Sequence, residues 1–494
     1  MPRTTTAKAV ATAATALVLL TACGGSDDKN TDSKPQGGGD TPASTPSAPA
    51  VASFDPPKTF VAASAFAVEG AGKDNSFTLQ AGMVGQTSLL AGRFGVTGRN
   101  IAAQGDPWTV PSTAASTTET VDATAPMGVQ LDGKDVVAIA YIQNDKGNGT
   151  QKAKGQVLFQ WLDATDGKKV AEVTADLTPI LGPGEGGENV MRQAYDAATG
   201  QIAVGVHPAH PTAKSGAIFT VFADPKTQKS TVIPSLEPAG VLNGVVAGAN
   251  GGNAAGEGET TIVIADAGTG KVTKQIPTNH GSLRVAGRGV KRAYLSANTY
   301  VKPKPGTFAG TYKNALYSVD IATGTVVQTA SQYVEDSVDY TCLGDQANAV
   351  VCTGADNGSK VEILGVDDST GKKTWGYTKD SASRIIPDVT AAFHGIVYAQ
   401  TEVQPVLVDA ATGNDVKSAS PTPSDSTTPT NGATPTSTPS DGSGSQGKDP
   451  STTNGSDMSL YDGTMRSPRA VTQYGGSYLQ GVGKPVLIAL APTS

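Results

Sequence analysis

Three cysteines, four histidines and a recurring Asp-x-x-Thr-Gly pentapeptide are the residues of this 494-residue chain whose types and spacing could do chemistry. Cys342 and Cys352 lie in Asp339-Tyr340-Thr341-Cys342 and Ala349-Val350-Val351-Cys352, two strand-like pieces flanking Gly344-Asp345-Gln346-Ala347-Asn348. A hairpin there brings the two thiols together, and in an oxidising compartment they form a disulfide. A redox or zinc pair needs a tighter Cys-x-x-Cys with histidine nearby. His207-Pro208-Ala209-His210 does not put two imidazoles on one helix face, because proline and turn-rich flanks intervene, and it reads as a surface loop. The sequence holds no Gly-x-Ser-x-Gly elbow, His-Glu-x-x-His helix or Gly-x-x-x-x-Gly-Lys-Ser/Thr phosphate loop. No catalytic residue, cofactor-binding residue or metal ligand is therefore assigned, and the expectation is a protein that is not an enzyme.

The pentapeptide is a turn. It occurs at Asp196–Gly200, Asp266–Gly270, Asp320–Gly324, Asp367–Gly371 and Asp409–Gly413, with degenerate copies at Asp163–Gly167 and Asp224–Gln228. Asp accepts backbone N–H bonds a residue or two ahead, Thr adds its hydroxyl, and Gly supplies the positive φ that enters the returning strand. One carboxylate per copy is too few for a six- to eight-oxygen calcium site. Short β-branched stretches precede the copies, such as Ile262-Val263-Ile264 and Val406-Leu407-Val408, and these are strands.

The elements that position these turns follow from spacing. The copies at Asp163, Asp224, Asp266, Asp320, Asp367 and Asp409 recur at a mean interval of about 49 residues, the size of a four-stranded propeller blade. Asp196 is out of phase and belongs to another hairpin within its blade. Gly and Pro number 59 and 31, charged residues are only 16 %, and the formal net charge is −7. That composition favours turns over long salt-bridged helices and disfavours a nucleic-acid partner.

The N-terminus places Arg3 and Lys8 before an apolar run, Ala9 to Leu20, too short to span a bilayer comfortably. Leu20-Thr21-Ala22-Cys23 then resembles the lipobox of bacterial lipoproteins, in which the cysteine thiol receives diacylglycerol. The resemblance implies a signal peptide over residues 1–22, lipidation at Cys23, and a location on the extracytoplasmic face of the cell membrane. Residues 23–50 are Ser/Thr/Pro/Gly-rich and read as a disordered tether. An acidic body is repelled by anionic headgroups, so the lipid alone provides the membrane partner.

Val366-Asp367-Asp368-Ser369-Thr370-Gly371-Lys372-Lys373-Thr374-Trp375 resembles the repeat of PQQ-type, quinoprotein-like β-propellers. That family includes pyrroloquinoline quinone dehydrogenases, an outer-membrane assembly lipoprotein and sensor domains of actinobacterial kinases. The chain departs from the enzymes where their cofactor chemistry resides. Only Trp375 fills the repeat's Trp slot, where Val170, Val204, Lys274 and Gln328 stand elsewhere, and no two cysteines are adjacent.

Residues 416–457 collapse into Ser, Thr, Pro, Gly, Asp and Asn, a disordered insertion, whereas 458–494 hold strands too few for a domain of their own. Those strands complete the propeller spread over 51–415, and an early strand over Phe60 to Val68 closes their blade. The expected fold is all-β: a propeller of eight four-stranded blades, with seven the alternative. The expected function is non-enzymatic binding or scaffolding of a protein or envelope polymer. A PQQ- and calcium-binding dehydrogenase and a ligand sensor are the alternatives.

Overall fold

Strand and tight turn alternate throughout the computed structural model, which describes residues 55–67, 79–101, 106–113, 117–211, 215–251, 260–303, 305–306, 310–381, 383–417, 458–481 and 485–493. The expected signal segment 1–22, Cys23, the expected tether 23–50 and nearly all of the expected 416–457 insertion lie outside these residues.

The chain enters at β1 (Phe60–Ala67). Unit 1 is β2 (Gln80–Val84), β3 (Thr87–Gly92), β4 (Gly95–Asn100) and β5 (Trp108–Pro111). Unit 2 is β6 (Thr118–Ala123), β7 (Met127–Leu131), β8 (Lys134–Asp145), β9 (Lys154–Asp163) and β10 (Lys169–Asp176), followed by the single-turn helix α1 (Thr178–Leu181). Unit 3 is β11 (Gly187–Tyr195), β12 (Ile202–Pro208), β13 (Phe219–Asp224) and β14 (Lys229–Pro234); unit 4 is β15 (Glu237–Leu242), β16 (Val245–Asn250), β17 (Thr261–Asp266) and β18 (Val272–Pro277). Unit 5 is β19 (Ser282–Arg288), β20 (Arg292–Val301), β21 (Thr311–Asp320) and β22 (Val326–Ala330); unit 6 is β23 (Asp339–Gly344), β24 (Ala349–Asp356), β25 (Ser359–Asp367) and β26 (Lys373–Thr378). Unit 7 is β27 (Asp388–Phe393), β28 (Ile396–Gln400), β29 (Pro405–Asp409) and β30 (Asp415–Val416). Unit 8 gathers β31 (Ala470–Thr472), β32 (Gly475–Gln480) and β33 (Val486–Pro492).

Within each unit the strands pair antiparallel in chain order. In unit 2 the innermost strand is broken: β6 and β7 both pair with β8, and the break falls at Thr124-Ala125-Pro126, where proline has no N–H to give the ladder. The Thr124 hydroxyl accepts the Ala140 N–H in its place. Units 5 and 6 merge into one eight-stranded sheet because β19 and β23 pair in parallel through Gly287 with Cys342 and Arg288 with Leu343. Only glycine permits that approach, since a Cβ on Gly287 would lie 2.1 Å from the Cys342 carbonyl oxygen.

The inner strands of successive units touch in order: β2 meets β7 of unit 2, whose β6 meets β11, and β11, β15, β19, β23, β27 and β31 follow in turn, with β31 returning to β2. Sheets arranged radially in such a closed order are a β-propeller. Closure joins the first and last described strands, because β1 pairs antiparallel with β33 from Phe60 opposite Pro492 to Ala67 opposite Val486, as the outermost strand of unit 8.

The core is a series of apolar layers between neighbouring sheets. On β8, Val136, Ala138, Ala140 and Ile142 pack toward unit 3 while Val137, Ile139 and Tyr141 pack toward unit 1. A strand buried on both faces must be apolar without alternation, which is why Val136–Ile142 reads as one continuous run.

Candidate functional site at the channel mouth

In an up-and-down sheet the first-to-second and third-to-fourth turns lie at the same end. The pentapeptides after Asp163, Asp224, Asp266, Asp320, Asp367 and Asp409 are all third-to-fourth turns, and the one after Asp196 joins the first and second strands of unit 3. Asp266 Oδ1 accepts the Thr269 N–H at 2.8 Å and its hydroxyl at 2.6 Å, and the Gly270 N–H closes on the Asp266 carbonyl at 2.9 Å. Asp163, Asp320 and Asp409 accept from Thr165, Thr323 and Thr412 in the same way, while Ser369 supplies the hydroxyl to Asp367. These hydroxyl bonds hold the Asp266 and Asp367 carboxyls below the usual carboxylate range. Gly167, Gly200, Gly270, Gly324, Gly371 and Gly413 all have φ between 66° and 74°. In each copy at Asp163, Asp266, Asp320, Asp367 and Asp409 the residue after Asp is buried, and its N–H donates to the first-to-second turn of its own unit, as Ala267 does to the Gly244 carbonyl.

The same end joins one unit to the next. Trp375 on β26 donates its indole N–H to the Ala410 carbonyl at 2.9 Å, with Gly413 beneath the ring. Trp108 on β5 packs likewise between Gly98 of its own unit and Gly167 of unit 2. The expectation that Trp375 alone occupies a docking slot is therefore corrected: unit 1 lacks the pentapeptide, so nothing in the sequence aligned Trp108 with the repeat. Lys274 takes the slot between units 4 and 5 and donates to the Gly324 carbonyl at 2.9 Å. Between units 5 and 6, Arg292 donates to the Asp368 carbonyl at 3.1 Å. Asp368 stands where the other copies carry Ala, Ile or Pro. Its buried carboxylate accepts the Val290 and Lys291 N–H groups, each at 2.8 Å, and the Tyr294 hydroxyl at 3.0 Å. Burial nevertheless pushes its carboxyl above the usual range.

At the centre of this end opens a cavity of about 550 Å³, lined by the first strands of units 1, 2, 3, 6, 7 and 8 and the turns that leave them. Its polar walls include Gln130, Asp135, Gln193, Tyr195, His394 and Arg469. Arg288 of unit 5 spans the side left by units 4 and 5: its guanidinium lies 3.5 Å from the Tyr195 ring centroid and donates to the Tyr195 carbonyl. Asp345, buried at the turn after β23, accepts the Gly395 N–H at 2.9 Å and fixes the turn that carries His394. Asp135 accepts an amide N–H from Gln130 but has no ion-pair partner among the described residues, and neither does Arg469. The Gln193 Oε1 atom is buried and accepts no hydrogen bond.

The remaining sequence-singled residues sit elsewhere. Cys342 and Cys352 face each other across β23 and β24, both buried, and form a disulfide with Cα atoms 4.0 Å apart. At the opposite end of the propeller, His210 pairs with Glu185 at 2.9 Å and His207 faces Glu188 at 3.6 Å. His280 accepts or donates at the Thr299 hydroxyl, 3.1 Å away, and burial holds its pKa below the ordinary 6.5. Among the described residues no three His, Cys, Asp or Glu side chains gather to hold a metal ion, and no helix is long and apolar enough to cross a membrane. A flat quinone over calcium does not fit the mouth: the Tyr195 face is already covered by Arg288, and Asp135 is the single carboxylate among the walls.

No protein-family model matches the chain, and no curated protein matches it. Among solved structures it is similar to the propeller of Dos1, at 11 % identity and TM-score 0.41 over 74 % of this chain and 88 % of that one. It is also similar to the dihydro-heme d1 dehydrogenase NirN in complex with DHE, at 14 % identity and TM-score 0.42 over 76 % and 75 %. The β-propeller domain of the Trilobed protease from Pyrococcus furiosus aligns at 12 % identity and TM-score 0.34 over 58 % and 82 %.

Proposed function

We propose that the chain is a lipoprotein anchored through Cys23 on the extracytoplasmic face of an actinobacterial-type membrane. Its PQQ-like propeller of eight blades, one for each sheet unit, acts as a non-enzymatic binding or scaffold protein of the cell envelope. The observation that carries the binding role is the channel mouth. Its volume falls within the range of small-ligand sites, and among the described residues the Arg469 guanidinium and the Gln193 Oε1 atom that line it have no hydrogen-bond partner. The lipobox resemblance and the acidic charge support the anchoring. Intact mass of the membrane-extracted protein should show loss of residues 1–22 and addition of diacylglycerol at Cys23. Titration with pyrroloquinoline quinone and calcium should give neither a saturable absorbance change nor dye-linked alcohol oxidation. Turnover in that assay would replace the binding role with a quinoprotein dehydrogenase.

A further inference from the structure

The mouth carries two opposite charges on different walls, and neither has an ion-pair partner among the described residues. Arg469 immediately precedes β31; its backbone is fixed by the N–H bond to the Ser477 carbonyl at 2.8 Å, while its guanidinium is exposed and without a hydrogen-bond or ion-pair partner among the described residues. Asp135 opens β8, anchored by its carbonyl accepting the Ala164 N–H, and its carboxylate is held toward the cavity rim by the Gln130 amide. The same charge types are ion-paired at other places in the propeller, as in Arg384 with Asp415 or Arg292 with Asp320. A guanidinium presents parallel N–H donors that match a carboxylate in bidentate fashion. A carboxylate offers acceptors to an ammonium group, and Gln193, whose Oε1 atom has no hydrogen-bond partner among the described residues, lines the same cavity.

We infer that the mouth binds a small zwitterion, with its carboxylate on Arg469 and its ammonium on Asp135, which is the chemistry of an amino acid or short peptide. The inference rests on the reading of the mouth as a ligand site. A cavity of about 550 Å³ has room for a few residues of peptide.

The test is calorimetric titration of the full lipidated chain in micelles with tri-alanine, N-acetyl-tri-alanine and tri-alanine amide. Tri-alanine should saturate, and each cap should weaken binding roughly ten- to hundredfold, the worth of one charge-assisted hydrogen-bond set. In Asp135→Asn the N-acetyl cap should cost nothing further, and in Arg469→Gln the amide cap should cost nothing further. Both side chains are exposed, so these variants should keep the wild-type melting temperature. Equal binding of all three peptides overturns the assignment. So do caps that penalise the variants as they penalise the wild type, or no saturation by roughly 10 mM tri-alanine. If tri-alanine fails while the mouth still captures a partner in membranes, the zwitterion is wrong and the binding role stands; if both fail, the binding role falls as well.

Discussion

Arg288 of β19 stacks its guanidinium 3.5 Å from the ring centroid of Tyr195 on β11, joining unit 5 to unit 3 past the unit between them. The contact is both a cation–π pair and a hydrogen bond to the Tyr195 carbonyl, so it closes one side of the channel mouth. Arg288→Ala should lower unfolding free energy by roughly 1–2 kcal/mol, measured by urea titration. An unchanged midpoint would mean that the bridge carries no energy.

Trp375 and Gly413 form a lock between units 6 and 7. A Cβ on Gly413 would sit 2.5 Å from the indole, and the residue holds φ at +71°. Gly413→Ala should therefore cost roughly 1–3 kcal/mol from strain. Gly167→Ala should cost a similar amount, because Trp108 packs on that glycine in the same manner. Thermal melts of the two variants test this, and wild-type behaviour of Gly167→Ala would remove Trp108 from the docking role.

Asp368 answers three donors of unit 5. Asp368→Ala removes the acceptor of the Val290 and Lys291 N–H groups and strands the buried Tyr294 hydroxyl, and should destabilise by roughly 2–3 kcal/mol. Asp368→Asn keeps an acceptor oxygen and should lose less. Equal losses by denaturant unfolding would assign the effect to charge alone.

Stability should depend on His280. Burial lowers its folded pKa, so the unfolded chain takes up the proton first as pH falls below about 6.5. Its contribution is present above that value and declines beneath it. Melting temperatures recorded from pH 7.5 to 5 should fall less steeply for His280→Gln than for the wild type. Parallel curves would contradict the assignment.

The Cys342–Cys352 bridge should leave no free thiol on the folded domain. Alkylation under denaturing, non-reducing conditions should modify neither residue, and reduction should lower stability by roughly 2–3 kcal/mol. Labelling of either cysteine before reduction would show the pair to be open.

The repeat was legible because a turn is local. Asp, Thr and Gly satisfy each other within five residues, so each copy could be placed without knowing the fold. Cys342 and Cys352 were legible for the same reason, being opposite each other in one hairpin. Contacts between units were not, since they join residues far apart in sequence. Trp108 stands before a unit that has no pentapeptide to index it, and Asp368 reads as an ordinary turn polar until unit 5 is brought against it. The mouth was the least legible feature. Asp135, Gln193 and Arg469 come from three units and share no motif, so only ring closure brings them to one cavity.

Ligand capture at the channel mouth is the centre of this account. A photo-crosslinking side chain placed at Tyr474, which lines the mouth, and another at Val272, exposed on the outer strand of unit 4, compare the two surfaces in native membranes. Adducts should form from position 474 and vanish with Arg469→Gln and Asp135→Asn, and none should form from position 272. Adducts of equal yield at both positions, or adducts at 474 indifferent to both substitutions, would contradict it.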